Sequence, residues 1–229
     1  EIVYLLMEQR NIRIISKSFM NCLKLTNISI PPCITRLGSF AFSHCQNLQE
    51  INLPKYLTKI PKHAFESCSK LQSIKIPTSV IKIGNNAFER CFELTEITIP
   101  SSVTKIGENA FELCSSLKEI IIPISVYKIG ENAFLNCKAL KNIVDQSLIS
   151  VIKENSFNGC SSLVDVNIPC FVKQIDSDSF LGCSSLRSIF IPDSVIKIGN
   201  GAFYECESLS DISFPSNLIE IGESAFYGC

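Results

Sequence analysis

The chain has 229 residues, of which 46% are hydrophobic and 19% charged, and its net charge is −1. That composition excludes a disordered chain, and the near-zero charge removes the electrostatic basis for binding nucleic acid or an anionic membrane surface. No apolar run approaches the ~18 residues that would span a bilayer; the longest, such as Ile2 to Met7, are strand-sized. The chain opens on Glu1 and stops at Cys229, so it is expected to be a piece of a longer protein, with any targeting signal outside it.

From the N-terminus, residues 1–18 carry only part of the pattern that follows and are expected to be a divergent first rung. Beyond them a repeat governs everything. Phe19, Phe42, Phe65, Phe88, Phe111, Phe134, Phe157, Phe180, Phe203 and Phe226 are spaced by 23 residues without an insertion or deletion. A cysteine follows three residues after each, from Cys22 to Cys229, and a leucine three residues further on, from Leu25 to Leu209. The unit reads L-x-x-I-x-I-P-x-S-V-x-K-I-G-x-N-A-F-x-x-C.

Within one unit, L-x-x-I-x-I alternates apolar and polar residues, as a half-buried strand does. Stacked copies should pair as a parallel sheet. Proline ends the strand, because it has no N–H for the ladder; eight of the ten prolines occupy this column. The V-x-x-I-G segment returns the chain along the other face. Its glycine, in six rungs from Gly38 to Gly222, implies a positive φ or crowded backbone. N-A-F-x-x-C-x-x-L has helical-turn spacing but is too short for a full helix, so a single α or 3-10 turn is expected. A lone rung cannot bury enough apolar surface to order itself, so neighbours on both sides are required. The expected fold is therefore a single mainly β solenoid over 1–229, with about ten rungs of 23 residues. A parallel sheet would line the concave face, with short second strands and turns on the convex side.

One rung departs from the pattern. Asp145 takes an inward isoleucine position, Gln146 replaces proline and Lys153 replaces glycine. A bare buried carboxylate is costly, so a bulge or a hydrogen-bonded Asp145 is expected.

This unit closely resembles the BspA-like, or TpLRR-type, leucine-rich repeat along essentially the whole chain. The resemblance implies a surface-displayed protein, cell-surface or secreted, that binds host proteins or extracellular matrix. It supplies no catalytic residues. An intracellular scaffold that recruits partner proteins is the alternative.

The cysteine column contains no C-x-x-C pair of the zinc-finger type. Identical rotamers in a column point the same way rather than toward each other, so these cysteines read as reduced, buried small hydrophobes. Cys33 and Cys170 fall outside the column and should be accessible. Neither a cofactor nor a metal site is expected. Only two histidines occur, His44 and His63, and both read as surface or loop residues. His44 beside Cys45 resembles a catalytic pair only on paper, since that cysteine belongs to the buried column. With no nucleophile motif or P-loop, the chain is not expected to be an enzyme. Asn27-Ile28-Ser29 is a glycosylation sequon placed in a strand, where occupancy is doubtful.

Binding is expected on the outward strand positions. The column before the first isoleucine holds Glu50, Glu96, Glu119, Asp165 and Asp211, and the column between the two isoleucines holds Ile121, Val144 and Phe190. These eight residues are the candidate partner-binding set, an acidic band around an apolar centre. On the opposite face a basic column runs through Arg13, Arg36, Lys59, Lys82, Lys105, Lys128 and Lys197. It reads as a solvated ladder neutralised by Glu108, Glu131 and Glu154.

Overall fold

Equal side chains placed 23 residues apart share one core only if successive rungs are superposed, and the backbone confirms that they are. The computed structural model describes residues 13–229, so most of the divergent first rung, 1–12, lies outside the described residues.

Among the described residues seventeen short strands, β1 to β17 in chain order, divide between two faces. The long-strand face carries β1 (Asn27–Ser29), β2 (Glu50–Asn52), β4 (Ser73–Lys75), β6 (Glu96–Thr98), β8 (Glu119–Ile122), β10 (Asn142–Asp145), β12 (Asp165–Val166), β14 (Ser188–Phe190) and β16 (Asp211–Ser213). The second face carries β3 (Lys59–Ile60), β5 (Lys82–Ile83), β7 (Lys105–Ile106), β9 (Lys128–Ile129), β11 (Val151–Ile152), β13 (Gln174–Ile175), β15 (Lys197–Ile198) and β17 (Glu220–Ile221). Every pairing is parallel and shifted by one repeat, as in Ile120 opposite Ile143 and Ile83 opposite Ile106. Among the described residues nine long-face strands are joined by eight complete turns, and the long-face segment of the first of the ten expected rungs lies in 1–12, outside them. Residues 13–18 contribute a single bridge, Ile14 to Leu37.

The core is a set of columns. Phenylalanine rings stack from Phe19 to Phe226 with centroids 5.0–5.7 Å apart. Leu94, Leu117, Val103, Val126, Ile106, Ala110 and their counterparts are buried around them. Neighbouring rungs therefore contribute most of the wall against which each ring packs.

The corner holds single tight turns of the expected kind, with Glu112 N and Cys114 N donating to Asn109 O and Phe111 O three residues back at 3.2 and 3.1 Å, but no helix forms among the described residues. The reason is a pair of left-handed columns flanking each phenylalanine, two residues before it (Asn86, φ 56°; Asn109, φ 51°) and two after it (Arg90, φ 58°; Leu113, φ 60°). A right-handed helix cannot run through such residues. The alternation instead turns N–H groups along the solenoid axis. Asn109 N, Phe111 N and Leu113 N donate to Glu131 O, Ala133 O and Leu135 O of the next rung, at 2.9, 2.8 and 2.8 Å. The corner is thus laddered like a sheet. Asparagine suits the first column because it tolerates a positive φ better than most residues.

The glycine column is explained by crowding, not by φ. A Cβ on Gly107 would sit 2.5 Å from Asn85 N and 2.6 Å from Gly84 C in the rung below.

Cysteines of the column are free thiols, and those from Cys45 to Cys206 are buried. They do more than fill space. Each S–H reaches back to the phenylalanine carbonyl of the preceding rung, as in Cys114 Sγ to Phe88 O at 3.2 Å. Burial lifts their pKa, to about 11 for Cys45 and about 12 for Cys160, so they stay protonated and unreactive at neutral pH. Cys33, Cys170 and Cys229 are exposed.

The divergent rung keeps its register without a bulge, with Asp145 opposite Ile122 in the β8–β10 ladder. The carboxylate is 6% exposed and accepts from Ser147 N at 2.9 Å, while Ser147 Oγ is buried without a hydrogen-bond partner. On the second face this rung coincides with a break. β3-β5-β7-β9 form one sheet and β11-β13-β15-β17 another.

Burial raises the Asp145 carboxyl above its ordinary value of 3.8, against a lesser lowering by Ser147. A folded-state pKa above the unfolded one means the native protein binds more protons, so stability falls as pH rises through that interval and then levels. Asp145→Asn keeps an acceptor for Ser147 N, offers Ser147 Oγ a donor and removes the charge. The variant is expected to be about 1–2 kcal/mol more stable at neutral pH, with the advantage fading under acid. Urea unfolding across pH checks this; an advantage independent of pH would contradict it.

Candidate binding face

Strand periodicity sends alternate side chains outward, and the long-strand face is built from them. All eight candidate residues lie on it with exposed side chains: Glu50, Glu96, Glu119, Ile121, Val144, Asp165, Phe190 and Asp211. Stacking makes neighbours of residues far apart in sequence. Val144 is opposite Ile121, and Asn167 bridges to Phe190. Ile121, Val144 and Phe190 are 58%, 46% and 65% exposed, so the apolar centre lies open to solvent in one column. Glu119 pairs through Asn142 with Asp165, which separates two carboxylates by a neutral rung.

The face is less purely acidic than the acidic column alone implies. Lys118, Lys141 and Arg187 stand one residue before that column, exposed, and Lys75 lies in the Ile121 column. Lys75 is legible in its own column, but reading the acidic column alone passes over Lys118, Lys141 and Arg187, whose residue numbers, one below Glu119, Asn142 and Ser188, were the available signal. What results is an apolar centre inside a band of both charge signs.

On the second face, Lys59, Lys82, Lys105 and Lys128 stack in register. A shallow recess of about 250 Å³ lies among Lys82, Lys105, Lys128, Glu108 and the backbone of Gly107 and Gly130. The expected neutralisation takes a different form. Glu108 accepts from Asn85 Nδ2 at 3.1 Å, and the ion pair within the column is Lys197–Glu220 at 2.9 Å, between successive rungs. Lys105 also sits over the Tyr127 ring, 5.2 Å from its centroid.

Cys45 is buried with its S–H directed to Phe19 O at 2.9 Å, so it does not pair with His44. Asn27 lies in β1, paired with Glu50. No helix among the described residues is long and apolar enough to cross a membrane.

Comparison with known proteins places this architecture. The family described as the BspA type leucine rich repeat region matches in six copies, over residues 12–141 and 128–229. A leucine-rich repeat protein of T. pallidum is 32% identical, with 67% of this chain and 72% of that one covered and a TM-score of 0.62. A leucine-rich cell surface protein of Faecalibacterium prausnitzii is 27% identical, covering 88% of this chain and 76% of its own, with a TM-score of 0.56. A leucine-rich repeat protein of Eubacterium ventriosum shares the fold at 22% identity, with 94% and 80% covered and a TM-score of 0.68. No curated protein matches the sequence.

Proposed function

Since the chain belongs to the BspA-type leucine-rich repeat family, we propose that it works without catalysis, as a surface-displayed scaffold holding a protein or extracellular-matrix ligand against its long-strand face. The observation that supports this reading is the solvent-open pair of Ile121 and Val144, with Phe190 beyond Asn167 in the same column, within a charged band. An apolar centre gains from desolvation, while a charged rim sets orientation and speeds encounter. Because the ladder fixes these side chains on a continuous wall, little ordering cost opposes docking. Glu50, Glu96, Glu119, Asp165 and Asp211 supply the acidic part of the rim. The similarity to a cell surface protein supports display outside the cell.

Two double variants test the face: Glu96→Lys with Glu119→Lys, and Ile121→Ser with Val144→Ser. All four side chains are exposed, so the fold should persist. Purified extracellular-matrix proteins, immobilised singly, serve as probes. The wild type is expected to capture at least one, and each double variant to bind it at least tenfold more weakly. Unchanged affinity in both variants, or no capture by the wild type, defeats the proposal. Antibody staining of intact cells tests the location, and label gained only after permeabilisation favours the intracellular scaffold.

A further inference from the structure

Superposing the rungs brings a histidine and two carboxylates together at the corner, away from the long-strand face. His63 precedes Phe65 by two residues and Glu66 follows it by one; Glu89 is the counterpart of Glu66 in the next rung. His63 Nδ1 is 3.1 Å from Glu66 Oε2, and one ligand atom from each of His63, Glu66 and Glu89 lies within 4.8 Å of the other two. The two histidines were expected to be plain surface or loop residues. His63 lies in such a loop, in the corner turn, half-buried with Phe40 stacked on its ring at 4.2 Å and an interplanar angle of 6°.

We propose that His63, Glu66 and Glu89 form a zinc-class divalent-cation site that ties two successive rungs together. One imidazole nitrogen and two carboxylates are a donor set that zinc accepts, with a fourth position for water. At metal–ligand bonds of about 2.0–2.1 Å, neighbouring ligands in a tetrahedral site stand about 3.3 Å apart, close to the His63–Glu66 separation. Outer partners already orient the donors. Ser43 Oγ donates to Glu66 Oε2 at 3.2 Å, and Asn86 Nδ2 donates to Glu89 Oε2 at 2.6 Å. Such second contacts fix ligand direction and tune affinity.

Charge argues the same way. Glu89 is only 8% exposed, and its cationic neighbour is Arg90, whose Nε lies 3.5 Å from Oε1 on a half-exposed side chain. Glu66, Glu89 and Glu112 thus occupy three consecutive rungs of one edge, where Arg90 pairs with Glu89. A bound dication would offset the excess negative charge.

The experiment uses the whole chain with Cys33, Cys170 and Cys229 changed to serine, so that exposed thiols do not compete. Zn²⁺ is titrated calorimetrically, and thermal unfolding is followed with and without excess zinc. One equivalent is expected to bind, with Tm raised by several degrees. His63→Asn places at the left-handed position the residue that Asn86 and Asn109 already supply, so its metal-free Tm should hold. Its zinc affinity should fall at least tenfold, as should that of Glu66→Gln. No zinc-dependent rise in the parent, or an equal rise in both variants, leaves a His63–Glu66 ion pair and overturns the site.

Discussion

Replacing Phe111 by alanine is expected to cost about 3–5 kcal/mol, the range for removing a fully buried aromatic ring, and to weaken coupling between the two halves of the solenoid. Phe111 is 0% exposed and stacks on Phe88 at 5.4 Å and on Phe134 at 5.3 Å. A cavity there removes contacts from both neighbours, and the backbone ladder above and below limits how far the walls can collapse. Stability in a stacked array is approximately a sum of rung and interface contributions, so an interior lesion lowers two interfaces while a terminal one lowers one. Phe226 is only partly buried and has a stacked phenylalanine on one side, Phe203; Phe226→Ala should cost about 1–2 kcal/mol. Urea unfolding followed by circular dichroism measures both, and hydrogen exchange should place the new opening of Phe111→Ala at its own rung. Equal costs for the two variants would mean that the stack does not carry the stability assigned to it.

Gly107→Ala should be nearly as damaging, at about 3 kcal/mol, although it adds one methyl group. The added Cβ would meet Asn85 N and Gly84 C, both backbone atoms of the preceding rung. Backbone has no rotamer by which to yield. Relief requires the rungs to shift locally, which strains the bond from Gly107 N to Ile83 O at 3.0 Å and the β5–β7 pairing, although Asp176, at the same position of its own rung, keeps the equivalent bond to Ile152 O at 2.9 Å. The same column offers an internal control. Lys153 occupies the glycine position of the divergent rung, where the second-face sheet is interrupted between β9 and β11. Its amine pairs with Asp176 at 3.4 Å on a partly exposed surface, so Lys153→Ala should change stability by no more than about 0.5–1 kcal/mol. Thermal unfolding of the two variants side by side decides the point. A mild Gly107→Ala would remove close rung approach as the reason for glycine in this column.

Much of this molecule is legible in the order of its residues. An invariant interval of 23 residues has one low-energy solution, in which each apolar position buries itself against its own copies. Stacking, parallel pairing, the phenylalanine column, the reduced cysteines and the outward placement of Glu96, Ile121 and Phe190 all follow from it. The repeat also identifies the family, because the spacing of proline, glycine, phenylalanine and cysteine is itself the family signature.

Other features appear only when one rung lies on the next. The corner looked helical because Ala87, Phe88 and Cys91 have helical spacing, yet its amides serve the neighbouring rung, and left-handed residues turn them that way. The glycine column could not be assigned to strain or to crowding until the backbone beneath it was in place. Asp145 presented the same choice, between distorting its strand and finding a donor, and Ser147 N in the preserved ladder resolved it. His63, Glu66 and Glu89 converge because columns on either side of the phenylalanine meet at one edge. A periodic sequence fixes which residues repeat along the axis, since burial acts on each column separately. Which columns touch each other depends on the path of the chain around the rung, and that path is set by hydrogen bonds between rungs.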